Sequence, residues 1–109
     1  MKEDVKDKWV AALRSGNYKQ TRGALKKDGG HCCLGVLCEV LGHIAEWNGY
    51  KYSYNGSKSV LETYIQEEAG MKTPLGSWAD NKRSLIELND DGKSFDEIAD
   101  IIEENWRSL

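Results

Sequence analysis

The sequence is short of several things, and each shortage excludes a class of protein. No apolar run approaches the roughly eighteen residues that a membrane-spanning helix needs, and the opening MKEDVKDKWV is too charged for a secretory signal. A cytoplasmic location is therefore expected. There are only three cysteines in 109 residues, two of them adjacent, so they cannot all pair within the chain and read as free thiols in a reducing compartment. There is one proline and no linker, internal repeat or low-complexity stretch, which points to a single domain over residues 1–109. No complete catalytic or metal motif is present, and no cofactor is expected.

What is present suffices for a core. Hydrophobic residues make up 39% of the chain and charged residues 30%, but four Trp and five Tyr supply large side chains that disordered sequences lack. Net charge is −3, unevenly spread: residues 1–30 carry eight Lys or Arg against four Asp or Glu, and residues 31–109 carry seven against fourteen. An acidic body repels a phosphate backbone, which argues against extended nucleic acid as a partner; the basic first third leaves room for one small anion.

Periodicity predicts an α+β fold, a compact domain of about four helices with small antiparallel β-hairpins. Val5, Trp9, Ala12 and Leu13 mark an amphipathic helix over 3–15. Lys27-Asp28-Gly29-Gly30 predicts a turn, and the apolar run from Cys33 to Leu41, stopped by Gly42, predicts a central core helix. Gly35 costs such a helix about 1 kcal/mol against alanine, so a backbone or ring is expected to approach it closely. Asn48-Gly49 predicts a tight hairpin with Tyr50, Tyr52 and Tyr54 along one face of a strand. Ser59 is the expected cap of a helix with Val60, Leu61, Tyr64, Ile65 and Ala69 as its stripe; residues 71–83 read as a long mobile connection, followed by a short apolar element of Leu85, Ile86 and Leu88 before Asn89-Asp90-Asp91-Gly92. Ser94 and Glu97 form a capping box for a last helix with Phe95, Ile98, Ile102 and Trp106 on its apolar side. That helix is too acidic to be a DNA-recognition element.

Three chemistries compete around the cysteines. His31-Cys32-Cys33, Cys38 and His43 offer zinc-ligand atoms, but Cys33 and Cys38 stand roughly 140° apart around a helix, a poor geometry for one metal. A thiol at a helix start, Cys32 or Cys33, with His31 or His43 as base would be a nucleophile, without a third group to orient it. The alternative makes the thiols core residues and His31 an exposed turn residue. The polar stretch beside them carries Tyr18, Lys19, Gln20 and Arg22, side chains suited to phosphate or carboxylate. Trp47, Tyr50, Tyr52 and Tyr54 add rings able to stack on a nucleobase, or else to cover the core helix. The expected ligand-binding set is Tyr18, Lys19, Gln20, Arg22, Trp47 and Tyr50.

Tyr18-Lys19-Gln20-x-x-Gly23-x-Leu25, the run CCLGVLCE from Cys32 to Glu39, and Leu88-Asn89-Asp90-x-Gly92-x-Ser94-Phe95-x-x-Ile98-Ala99 together resemble a family of small uncharacterised proteins of tailed bacteriophages. That resemblance implies an infected bacterial cytoplasm as the setting and no settled activity. The reading it supports is a non-catalytic accessory protein that sequesters a small anionic ligand, a nucleotide immune signal, to counter host defence. A protein-binding inhibitor of a host factor and a cysteine-dependent enzyme are the alternatives. A homo-oligomer would enclose such a ligand better than one small chain can.

Overall fold

The computed structural model describes residues 1–79 and 82–109. Helix α2 (Cys33–Val40) runs through its middle, with Cys33 to Cys38 all buried. Helices α1 (Glu3–Arg14) and α5 (Phe95–Asn105) pack on each other, and α1 also packs on α2. Val5, Trp9 and Leu13 of α1 and Ile98, Ala99 and Ile102 of α5 all lie buried in the same hydrophobic core. Trp9 is fully buried, and its indole nitrogen donates to the Cys33 carbonyl over 2.8 Å, so its polar edge is satisfied inside the core. Gly35 has the close neighbour its place in a helix predicts: a Cβ there would stand 1.9 Å from the Leu25 carbonyl oxygen.

Around the helices lie three two-stranded antiparallel hairpins. The first joins β1 (Lys26–Lys27) to β2 (Gly30–His31) through Asp28 and Gly29, with φ of 53° and 77°, the left-handed pair of a type I′ turn. The second joins β3 (Glu46–Trp47) to β4 (Tyr52–Ser53). Helix α3 (Thr63–Ala69) follows, then β5 (Ser77–Trp78) and β6 (Arg83–Ser84), helix α4 (Leu85–Asp90), and α5 with its Ser94–Glu97 capping box. This is a single α+β domain, as periodicity predicts. Among the described residues no helix is long and apolar enough to cross a membrane.

Several local expectations are corrected. The Asn48-Gly49 turn is wider than a two-residue hairpin, because the Asn48 side chain accepts from the amides of both Tyr50 and Lys51. Tyr50 therefore does not share a strand face with Tyr54: Tyr50 sits exposed in the turn, whereas Tyr54 is fully buried and donates to Glu39 Oε2 at 2.6 Å. Glu62, not Ser59, caps α3 by accepting from the Tyr64 amide, and Tyr64 points to solvent. The expected long connection 71–83 contains strand β5, with Trp78 buried, and the first residue of β6; Asp80 and Asn81 within it lie outside the described residues. The short apolar element of Leu85, Ile86 and Leu88 is helix α4, which runs on to Asp90 and includes Asn89 as a buried member. His31, expected to be exposed, is 8% exposed in β2.

Candidate functional site

The stretch before the first hairpin is organised by Asn89. Its Oδ1 accepts from the Cys33 amide at 3.1 Å and from Gln20 Nε2 at 2.8 Å, and its Nδ2 donates to the Thr21 carbonyl at 2.8 Å. Cys32, the residue before α2, offers no side-chain cap, so Asn89 satisfies one of the amides that every helix start leaves open. Gln20 Nε2 also donates to the Lys93 carbonyl, and Arg22 Nε donates to the Asn89 carbonyl at 3.3 Å. The backbone of residues 19–21 runs beside β2: the His31 amide donates to the Lys19 carbonyl, and the Thr21 amide donates to the His31 carbonyl. Gly30 is required there, since a Cβ would come within 2.9 Å of that Lys19 oxygen.

The larger concavity lies on the other side of the first turn. A cavity of about 590 Å³ opens between the first and second hairpins, lined by Lys26, Lys27, Asp28, Trp47, Tyr50, Lys51, Tyr52 and Lys58 among others. Strands β1 and β4 lie against each other, and just before β1 the Leu25 amide donates to the carbonyl of Lys58, in the segment that follows β4, at 2.8 Å. Lys26 Nζ sits 4.6 Å from the centroid of Tyr52, and Lys51 Nζ 5.5 Å from that of Tyr50. Trp47 and Tyr52, opposite each other in the ladder, have ring centroids 4.8 Å apart. Trp47 and Tyr50 keep 57% and 77% of their surface exposed.

Four lysines thus face one aspartate around this cavity. Among the described residues, none of the four forms an ion pair with a carboxylate, in contrast to Lys6, Arg14 and Lys93 elsewhere. A second, shallower recess of about 410 Å³ is lined by Gln20, Thr21, Arg22, Lys27 and Asp28.

Of the residues singled out from sequence, Trp47 and Tyr50 line the larger cavity, and Gln20 and Arg22 the smaller. Tyr18 is half-buried with its ring edge-on to His31 at 5.3 Å, and Lys19 is an exposed side chain on a hydrogen-bonded backbone. Lys26, Lys27, Lys51 and Lys58 escaped sequence reasoning. Only Lys51 stands among the aromatic residues of 50–54; Lys26, Lys27 and Lys58 lie in other segments, and no local period brings the four together.

The thiols are core groups. Cys32, Cys33 and Cys38 are all buried and free. Burial pushes Cys32 up to about 11 and Cys38 up to about 12, and raises Cys33 well above the ordinary thiol value. A fully buried, protonated sulfur has neither substrate access nor thiolate character. Among the described residues no three His, Cys, Asp or Glu side chains converge as a metal site. His31 is held below its ordinary pKa by burial, opposed by Glu39 at 3.8 Å and assisted by Lys26.

The chain belongs to the family described as a domain of unknown function, DUF8296, whose model matches residues 1–106. No curated protein and no solved structure matches the chain.

Proposed function

We propose that this protein binds a small anionic ligand carrying a flat ring, of the nucleotide class, in the cavity between its first two hairpins, without catalysing a reaction. The observation that carries this reading is the meeting of four lysines without carboxylate partners among the described residues and two exposed rings around one concavity. Desolvating those ammonium groups without an anion is unfavourable, and a base stacked on Trp47 or Tyr50 contributes about 1–3 kcal/mol. The volume falls in the range of about 300–1,000 Å³ typical of small-molecule sites. In the setting that the resemblance to small phage proteins supplies, capture would withdraw a nucleotide signal from a host defence.

The test is thermal unfolding with a panel of nucleoside mono-, di- and triphosphates at low salt, with inorganic phosphate as control. A ligand held at a hundred times its Kd stabilises by about 2.7 kcal/mol, so the melting temperature rises. Trp47→Ala and Lys51→Gln each remove most of that rise. No rise with any nucleotide overturns the proposal. A second reading, inhibition of a host protein, is favoured by Ile44, Trp47 and Tyr50, all exposed apolar side chains in residues 44–50; it predicts a partner retained from host lysate whether or not nucleotide is added.

A further inference from the structure

We infer that the ligand carries two separated phosphates, one in each of the two recesses that flank the first hairpin turn; this rests on the nucleotide reading above. Lys27 and Asp28 line both recesses, so the two concavities are neighbours divided only by that turn. The chain lines them in sequence: residues 20–22 belong to the smaller, and residues 23–29, apart from Leu25, to the larger. A ligand anchored on the Lys26, Lys51 and Lys58 side has a second cationic position next to it.

That second position is held in place. The Arg22 guanidinium is tethered through Nε to the Asn89 carbonyl, in the last turn of α4. Its Nη2 lies over Gly92, where a Cβ would come within 3.3 Å. One edge is thereby used for anchoring, and the Nη groups make no ion pair among the described residues. A guanidinium fixed by one edge loses little further freedom on gripping a phosphate with the other. Gln20 cannot supply a donor in the same way, because Nε2 already makes two hydrogen bonds; its free atom is the carbonyl Oε1, an acceptor. The smaller recess therefore offers Arg22 and Lys27 to an anion against one carboxylate, Asp28, with no aromatic ring among its lining residues. It suits a phosphate, while the base stays on the Trp47 and Tyr50 side.

With Lys27 and Asp28 of the turn lining both recesses, a phosphate on each side of that turn calls for a spacer such as a sugar between the two groups. The ligand class is thus a dinucleotide or similar molecule with phosphate groups on both sides of a ribose.

Isothermal titration at fixed low salt separates the possibilities with three probes: adenosine monophosphate, adenosine diphosphate, and the linear dinucleotide pApA. The dinucleotide is expected to bind at least tenfold more tightly than the monophosphate, and more tightly than the diphosphate. Arg22→Gln is expected to bring the dinucleotide-to-monophosphate ratio to within about twofold, and Arg22→Lys to leave it between the two, each variant checked for folding by its melting transition. Equal binding of monophosphate and dinucleotide, or a ratio indifferent to Arg22, overturns this inference and leaves single-nucleotide binding standing. Failure of all three, repeated with the guanine counterparts, overturns both.

Discussion

Asn89 and Lys51 stand on opposite sides of the first hairpin and solve opposite problems. Asn89 is fully buried and has three hydrogen bonds inside the protein, to Cys33, Gln20 and Thr21. Lys51, like Lys26 and Lys58, faces a cavity beside exposed rings and has no ion-pair partner among the described residues. A buried polar group left without partners costs stability, so it is satisfied within the fold. A cation left at a concavity costs little while water reaches it and becomes useful when an anion arrives. The first region holds the fold together, and the second carries the proposed binding site.

The sharpest way to break this contrast acts on the first region. Gly35→Ala drives a methyl group into the Leu25 carbonyl, a backbone atom that cannot swing aside. Its expected cost exceeds about 4 kcal/mol, a large part of total stability, and it is read as loss of the cooperative urea transition. Asn89→Ala comes next. It strands the buried Cys33 amide and the Thr21 carbonyl, at about 1–3 kcal/mol for each unsatisfied group, and lowers the urea midpoint without changing the slope.

A smaller effect follows pH. Burial holds the His31 pKa below the ordinary value, so the fold disfavours its protonated form, and its two ring nitrogens have no hydrogen-bond partner among the described residues. Below about pH 6.5 the unfolded chain takes up a proton that the folded chain resists. More protons on the unfolded state make stability rise with pH in that window, so stability falls as pH drops through it. His31→Gln is expected to flatten this slope, measured as melting temperature between pH 7 and pH 5. The smallest effect belongs to the second region: the double change Lys51→Gln and Lys58→Gln is expected to shift unfolding free energy by no more than about 0.5 kcal/mol, while weakening nucleotide binding about tenfold or more.

Legibility from sequence followed the same divide. Helices α1 and α5 were legible because their apolar positions repeat every three to four residues, and α5 also carries Ser94 and Glu97 as a capping box. The helical glycine at 35 announced a close approach, and the Leu25 carbonyl is its cause. The third hairpin was illegible: strands of two residues, Ser77–Trp78 and Arg83–Ser84, are too short to show a period. The role of Asn89 was illegible because Asn-Asp-Asp-Gly is locally just a polar run, whereas its burial is set by Gln20, Thr21 and Cys33, more than fifty residues away in sequence.

The cavity was legible only in its aromatic half. Trp47 and Tyr50 stood out as rings on a hairpin, but which cations would join them depended on how the two hairpins dock. The Leu25–Lys58 backbone bond and the Lys26–Tyr52 contact decide that, and neither leaves a trace in local sequence. Gln20 and Arg22, prominent as a polar cluster, are instead tied by their side chains to the end of α4 and the segment before α5.

The most direct measurement is a two-dimensional amide NMR titration of the intact chain with a nucleoside monophosphate. The account predicts saturable shifts concentrated at residues 23–29, 46–52 and 58–59 and in the Trp47 indole resonance, with the α1–α5 contact undisturbed. Shifts confined to α5 or α3, or none at all up to millimolar ligand, would contradict it.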